Sequence, residues 1–301
     1  MPLNNTLAER ELEANKQLAD KIKLEQAPTS AFRRLFKQMG RDLESLYSVA
    51  GRVPSANDYE DDIKAILIPH YQKVTNQFAG TVSNFVNESS SSEPLVEALE
   101  TIATESDQDF AAVVLEIQAR VNIQVREFIT DSINAQVQQI TATNQIQLNK
   151  AVADSIASAS EQAVMPSNAE IAKQANQAFV KASKARADTI ATVTTQAAAE
   201  GAKSIEISVL NESLAVAGFT QATTKTWVTV GDDKVRVAHS VANGQNRPID
   251  EPFSVMGQLL KHPGDSSLGA TAANIINCRC VSLIVIGSSI ARNSFNIGLR
   301  G

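Results

Sequence analysis

Three residues in the last quarter of the chain have the types that hold soft metal ions or carry nucleophilic chemistry: His239, Cys278 and Cys280. An imidazole and two thiolates suit zinc, with His262, Asp265 or water as a fourth ligand. The Cys-x-Cys spacing is not that of the usual zinc knuckle, which leaves other readings open. In one, Cys278 or Cys280 is a nucleophile activated by His239 and oriented by Asp233, as in a Cys/His hydrolase. In the other, the two cysteines lie on one face of an extended segment and pack as small buried hydrophobes, because alternate residues of a strand point the same way. The packing reading is adopted, with no catalytic residue, no cofactor and zinc as the minor alternative. A disulfide between such near neighbours would be strained, and two cysteines form no disulfide framework, so a reducing compartment is expected.

The elements that must position these residues are short. Trp227 to Val230 is a β-favouring run, and Gly231-Asp232-Asp233 is a turn that stops it. Val235-Arg236-Val237 alternates as a half-buried strand or extended arm would. Asn243-Gly244 is placed at a hairpin tip. Pro248 and Pro252 bracket a segment that cannot be a central strand, since proline donates no ladder hydrogen bond. Val281 to Ile286 reads as a buried strand ended by Gly287. Arg236, beside Asp232 and Asp233, and Arg279, between the cysteines, are expected to tie turns together. Nine of the 13 glycines lie from Gly218 onward, where the chain must reverse often.

The order Trp227, Asp233, Arg236, His239, Gly244, Phe253, Pro263-Gly264-Asp265 and Asn277-Cys278-Arg279-Cys280 resembles the C-terminal domain of the phage Mu F-like head morphogenesis proteins, minor capsid proteins associated with the portal of tailed phages. The resemblance covers the last third of the chain, and the helices from about Val121 in style only. It implies a structural virion protein inside the head near the portal, made in the host cytoplasm and present in multiple copies. Its implied partners are the portal protein, capsid or scaffolding protein, and the packaged double-stranded DNA at packaging or ejection. Related domains have been likened to ADP-ribosyltransferase folds, whose chemistry leans on a glutamate, so an enzyme or toxin-like domain is the alternative. In the corresponding helix, Arg186-Ala187 and Ile190-Ala191 fit the family pattern. The acidic position falls on Thr194 or Thr195, and neither Glu200 nor Glu206 has the matching spacing.

Upstream the chain is helical by its periodicity. Residues 5–25 form a first helix, and Pro28-Thr29-Ser30 offers a break and a new cap before the stripe Phe32, Leu35, Phe36, Met39, Leu43 and Leu46-Tyr47. Arg33, Arg34 and Lys37 lie in that helix as a solvated face or a patch for an acidic partner. Asp58 to Val86 carries Ile63, Leu67, Val74, Phe78, Val82 and Phe85, with Pro69 expected to kink or split it near Ile68 and His70 as a packing residue. Residues 89–94 read as a serine-rich linker. The stripe resumes from Ile117 through Val121, Val125, Phe128, Ile133, Val137, Ile140, Leu148, Val152 and Ile156. Met165-Pro166 breaks it, and Ser167 or Asn168 caps an alanine-rich helix with Ala175, Ala178, Ala182, Ala185, Ile190 and Val193 inward.

The expected fold is therefore α+β: a long N-terminal helical bundle followed by a small, turn-rich C-terminal domain. The division is 1–88 as a helical hairpin, 89–94 as linker, 95–217 as long helices, 218–287 as the α+β domain and 288–301 as a flexible basic tail.

With 301 residues and 43% apolar content, the chain can bury a sizeable core. The net charge of −6 is uneven: residues 218–301 carry 8 Lys and Arg against 5 Asp and Glu, and the preceding residues 19 against 28. That mildly basic end is far from the clustered basic face of a nucleic-acid binder. Met1 to Lys23 has no apolar core of a secretory signal, and nothing approaches the ~20 apolar residues of a membrane span. No phosphate-binding loop, dinucleotide glycine pattern or catalytic carboxylate pair is present.

Overall fold

A computed structural model of the chain describes residues 7–79, 92–161 and 166–292. The fold is α+β, with long helices followed by short antiparallel strands. The helices are α1 (Leu7–Ala50), α2 (Glu60–Phe78, after a 3-10 turn at Ala56–Tyr59), α3 (Ser92–Glu105), α4 (Phe110–Ser160) and α5 (Asn168–Val216). Then come β1 (Phe219–Val228), α6 (Val237–Ala242), β2 (Asn246–Pro248), β3 (Phe253–Val255), β4 (Gln258–Leu260), α7 (Ala272–Ile275) and β5 (Val281–Arg292).

The chain divides into two compact units, each made of separate stretches: Met1–Lys21, Val74–Phe128 and Gln196–Gly301 in one, Ile22–Lys73 and Ile129–Thr195 in the other. This differs from the sequential division expected at 88, 94 and 217. Helices of 44 to 51 residues outrun any single small core, so one stretch of helical sequence supplies side chains to both.

The second unit is helical throughout. Its centre is aromatic: Phe32 stacks on Phe36 at 6.0 Å between ring centroids, and Phe36 meets Phe179 of α5 edge-on at 6.3 Å. The Arg186 guanidinium lies over Phe36 and donates to the Ile140 carbonyl, so this half-buried cation is held by a ring face and a backbone dipole. The stripe of α1 is buried as its spacing requires. Pro28, however, does not end α1, and Pro69 does not end α2. A proline forfeits one helical hydrogen bond, but Leu24 and Phe32 on either side of Pro28, and Leu67 and Tyr71 around Pro69, are all buried and hold the helices across the defect.

In α5 the inward face is Ala172, Ala175, Phe179, Ser183, Ala187 and Ala191, whereas Ala178, Ala182 and Ala185 are exposed. Alanine lies on every side of this helix, so its spacing could not choose a face; Phe179 does. In α4 the stripe runs through Ile117, Val121, Val125, Ile133, Val137, Ile140, Leu148 and Val152, then passes to Ser155 and Ala159, leaving Ile156 exposed. Ser167 caps α5: the Glu170 N–H donates to Ser167 Oγ, and Ser167 N–H and Oγ donate to the Glu170 carboxylate.

Residues 80–91, most of the expected linker, and 293–301, most of the expected tail, lie outside the described residues. Ser92, Glu93 and Pro94 form the first turn of α3, where a proline's missing N–H is no loss. Nor does the last strand stop at Gly287. It pairs with β1 as far as Arg292, so residues 288–292 belong to the sheet and not to a tail.

In the first unit β1 is the central strand of the sheet β2-β1-β5, antiparallel throughout, with Trp227 opposite Ser282 and Val228 opposite Val281. Pro248 ends the edge strand β2, as a residue without an N–H must. Ala14 of α1 packs on Val228 and Val281. A separate hairpin, β3–β4, turns on Met256-Gly257, both at positive φ (47° and 75°), the backbone of a two-residue type I′ loop. Val237 begins a helix, not a strand. Three alternating residues are too few to tell a strand from the lead-in to a helical turn. Consequently Asn243-Gly244 joins a helix to β2 instead of tipping a hairpin, with the Gly244 N–H on the Trp227 carbonyl and Asn243 Oδ1 accepting from the Thr229 N–H.

Candidate functional site

The first unit has a core formed by Trp227, Ala242, Phe253, Val255, Leu260, Ala270, Cys278 and Cys280. Helix α6 presents its inner face here. His239 and Ala242, three residues apart, are buried, while Val237 and Val241 point outward. Trp227 comes from β1, and its indole meets both His239 and Phe253 edge-on, at 5.4 Å each. Cys278 and Cys280 sit just ahead of β5 with both sulfurs inward, and Arg279 between them turns out to pair with Asp232.

The two sulfurs converge on one ring nitrogen. His239 Nδ1 is 3.4 Å from Cys280 Sγ and 3.7 Å from Cys278 Sγ, and the three atoms lie within 4.8 Å of one another. All three residues are buried, and His239 Nε2 is buried without a partner among the described residues. Cys280 and the imidazole both favour a thiolate on Cys278 over burial's opposing push, and the same contact with Cys278 drives the Cys280 thiol strongly upward.

The remaining sequence candidates separate into fasteners and non-participants. Asp233 is exposed on the turn and does not join the cluster, so the Cys/His/Asp arrangement lacks its orienting acid. Asp232 is the carboxylate that is used, held below its usual range by the Arg279 guanidinium. Arg236 donates to the Ile276 carbonyl and pairs with no acid among the described residues. Asn277 stands at φ 54°, which asparagine tolerates, and turns the chain from α7 into Cys278.

His262 and Asp265 are not the fourth ligand either. Asp265 accepts from the Lys261 and Ser267 N–H groups at 2.8 and 2.9 Å, and His262 Nδ1 faces the Pro263 carbonyl at 3.3 Å. Burial lowers the His262 pKa against the pull of Asp265 and Glu200. Gly264, at φ 84°, lets Gln196 press on the Pro263-Gly264-Asp265 turn.

What the residue types did not reveal is the polar support behind the cluster. Gln196 donates from Nε2 to the Cys280 carbonyl (2.8 Å) and the Pro263 carbonyl (3.2 Å), and accepts from Lys21 Nζ at 2.9 Å. One turn on, fully buried Glu200 receives Lys21 Nζ (2.7 Å) and Lys203 Nζ (2.8 Å) on one oxygen, and the Ser282 N–H (2.9 Å) and hydroxyl on the other. Burial pushes the Glu200 carboxyl up, but the two ammonium groups outweigh it and hold it far below the usual carboxylate range. Burial moves Lys203 to about 8 even beside that carboxylate. The available signal was three polar residues at i, i+4 and i+7 in an otherwise alanine-rich helix face. Thr194 and Thr195, where the resemblance implied an acid, instead bond back to their own helix, and Thr195 Oγ1 also lies 2.9 Å from His70 Nε2. Burial, with a smaller push from Lys73, takes that His70 to about 4.

A groove of about 730 Å³ lies between α1 and α2 in the helical unit, floored by Ala27, Pro28, Ala31 and Ala65 and flanked by Arg34, Arg41, Lys73 and Asp62. Arg33 takes no part in it; it pairs with Asp188 at 2.6 Å. No helix among the described residues is long and apolar enough to cross a membrane.

In comparisons with protein-family models, curated proteins and solved structures, nothing matches this chain.

Proposed function

We propose that this chain is a structural minor capsid protein of a tailed phage, acting in head morphogenesis through contacts with the portal protein and the inner capsid. One observation carries the reading. The residues on which the resemblance rests, from Trp227 to Cys280, are used to hold one small domain together: Trp227, His239, Phe253, Cys278 and Cys280 as core, Arg236 and Arg279 as turn fasteners, and Asp265 as a turn cap. A pattern that fixes a fold fits a scaffold better than an enzyme.

The helices supply surfaces for partners. Leu115, Ile123 and Ile146 of α4 are between 48% and 68% exposed, and we place partner contacts on them. An ADP-ribosyltransferase-like reading needs a carboxylate open to substrate. Glu200 and Glu206 are both buried in α5 rather than open to substrate, and four donors from the chain itself already occupy the Glu200 oxygens.

The test is co-expression with the portal protein of the same virus, followed by native mass spectrometry. Stoichiometric association, kept when Leu115 and Asp233 are untouched and weakened by Leu115→Asp or Ile146→Asp, is the expected result. A free monomer that joins neither portal nor procapsid would overturn the reading.

A further inference from the structure

We propose that His239, Cys278 and Cys280 form a structural zinc site that closes the C-terminal domain. The two nitrogen–sulfur distances fit such a site. Zinc holds sulfur at ~2.3 Å and imidazole nitrogen at ~2.0–2.1 Å, so a tetrahedral ion places sulfur and nitrogen ligands about 3.6 Å apart. The observed separations from Nδ1 are 3.4 and 3.7 Å, on either side of that value. The donors are two soft thiols and one imidazole, the set that selects zinc over magnesium or calcium.

The cradle is fixed before any ion arrives. Arg279, drawn outward by Asp232, keeps the two flanking sulfurs on the inner side. Gln196 pins the Cys280 carbonyl, Glu200 pins the Ser282 amide, and α6 brings in His239 between two turn fasteners. Among the described residues the imidazole has no hydrogen-bond partner except the sulfurs, which face it at Nδ1.

Two elements 39 residues apart in sequence, α6 and the segment before β5, meet at this point beside Trp227 of β1, and an ion here would lock them together. Among the described residues no fourth His, Cys, Asp or Glu joins the three, so the fourth position goes to a non-protein ligand such as water. Binding releases the thiol protons, and no oxidant or reductant is involved.

The test uses the full chain, purified with a phosphine reductant and stripped of metal. It is titrated with zinc against a chromophoric chelator and, separately, with cobalt(II). The expected result is one equivalent of zinc, a thiolate-to-cobalt charge-transfer band with the intensity of two thiolates, and a rise in the thermal midpoint read by Trp227 fluorescence. His239→Ala and Cys278→Ser should each weaken zinc by at least about tenfold, the lower end of what even an outer-shell change does. Substoichiometric zinc with no cobalt–thiolate band in wild-type protein that is folded by circular dichroism would overturn the proposal. That readout needs no variant, so it stands even where a substituted chain fails to fold. Binding that is unchanged in all three single variants, including Cys280→Ser, would overturn it as well.

Discussion

Replacing Glu200 by glutamine changes one atom of a fully buried side chain and should destabilise the protein severely. The carboxylate accepts four hydrogen bonds, two from lysine ammonium groups whose side chains are 2% and 12% exposed. A glutamine offers one oxygen and one NH2. Whichever way it turns, the NH2 faces two donors, and two buried cations lose their counter-charge. Removing one partner of a buried ion pair costs ~3–5 kcal/mol because the remaining charge is stranded, a large share of the ~5–15 kcal/mol that holds a domain together. At ~2–4 °C per kcal/mol for a chain of this size, the expected drop in Tm is roughly 6–20 °C. The assay is thermal and urea unfolding of Glu200→Gln, Lys21→Met and the double variant. Trp227, the sole tryptophan, reports on the affected unit. Lys21→Met removes one stranded cation in advance, so the double variant should lose at least ~1 kcal/mol less than the sum of the singles. Strict additivity, or a Glu200→Gln loss below ~1 kcal/mol, would refute the account of Glu200 as the tie between α1, α5 and β5.

Two further outcomes follow from the same unit. Gly264→Ala puts a Cβ at φ 84° and 2.8 Å from Gln196 Cγ, a side chain held by three hydrogen bonds that cannot easily give way. Its cost should be ~2–5 kcal/mol in urea unfolding, against ~1–2 kcal/mol for Gly257→Ala, which has the same backbone problem in open space; equal losses would remove the close-contact argument. Lys225 is buried with its ammonium on the Lys261 carbonyl and over the Phe253 ring, and burial moves its pKa to about 8 from an ordinary 10.5. Between those values the unfolded chain keeps a proton that the folded one has lost, so this residue makes stability rise as pH climbs from 8 to 10.5, by at most ~3 kcal/mol. Lys225→Met should flatten that part of the wild-type profile, and identical slopes from pH 8 to 10 would contradict the assignment.

Much of the helical part was legible because side chains large enough to be unambiguous recur at helical spacing. Phe32, Phe36 and Met39 in α1, and Ile63 and Leu67 in α2, leave one choice of inward face. Where the residues are small or the stretch is short, the same reasoning lost its footing. Alanine around all of α5 gave no face until Phe179 met Phe36, and Val235 to Val237 was too brief to separate strand from helix. Pro28 misled as a break, and Pro69 as a split, because a proline's cost is local and known, whereas the packing that outweighs it is contributed by residues elsewhere in the chain.

For the site, residue chemistry alone determined that His239, Cys278 and Cys280 were the group to watch, and that Cys-x-Cys would turn both sulfurs the same way, since side chains of an extended segment alternate. Sequence could not determine that Asp233 stays outside while Asp232 takes Arg279, because adjacent residues differ only in the direction the turn gives them. Nor could it weigh Glu200. A glutamate in an alanine-rich helix is ordinary when it faces water and structurally decisive when Lys21, some 180 residues earlier in the chain, and Ser282, 82 residues later, are folded onto it. Identity and spacing along the chain fix what a side chain can do; the tertiary structure alone decides which distant partners remove it from water, and with that whether its charge stabilises the fold.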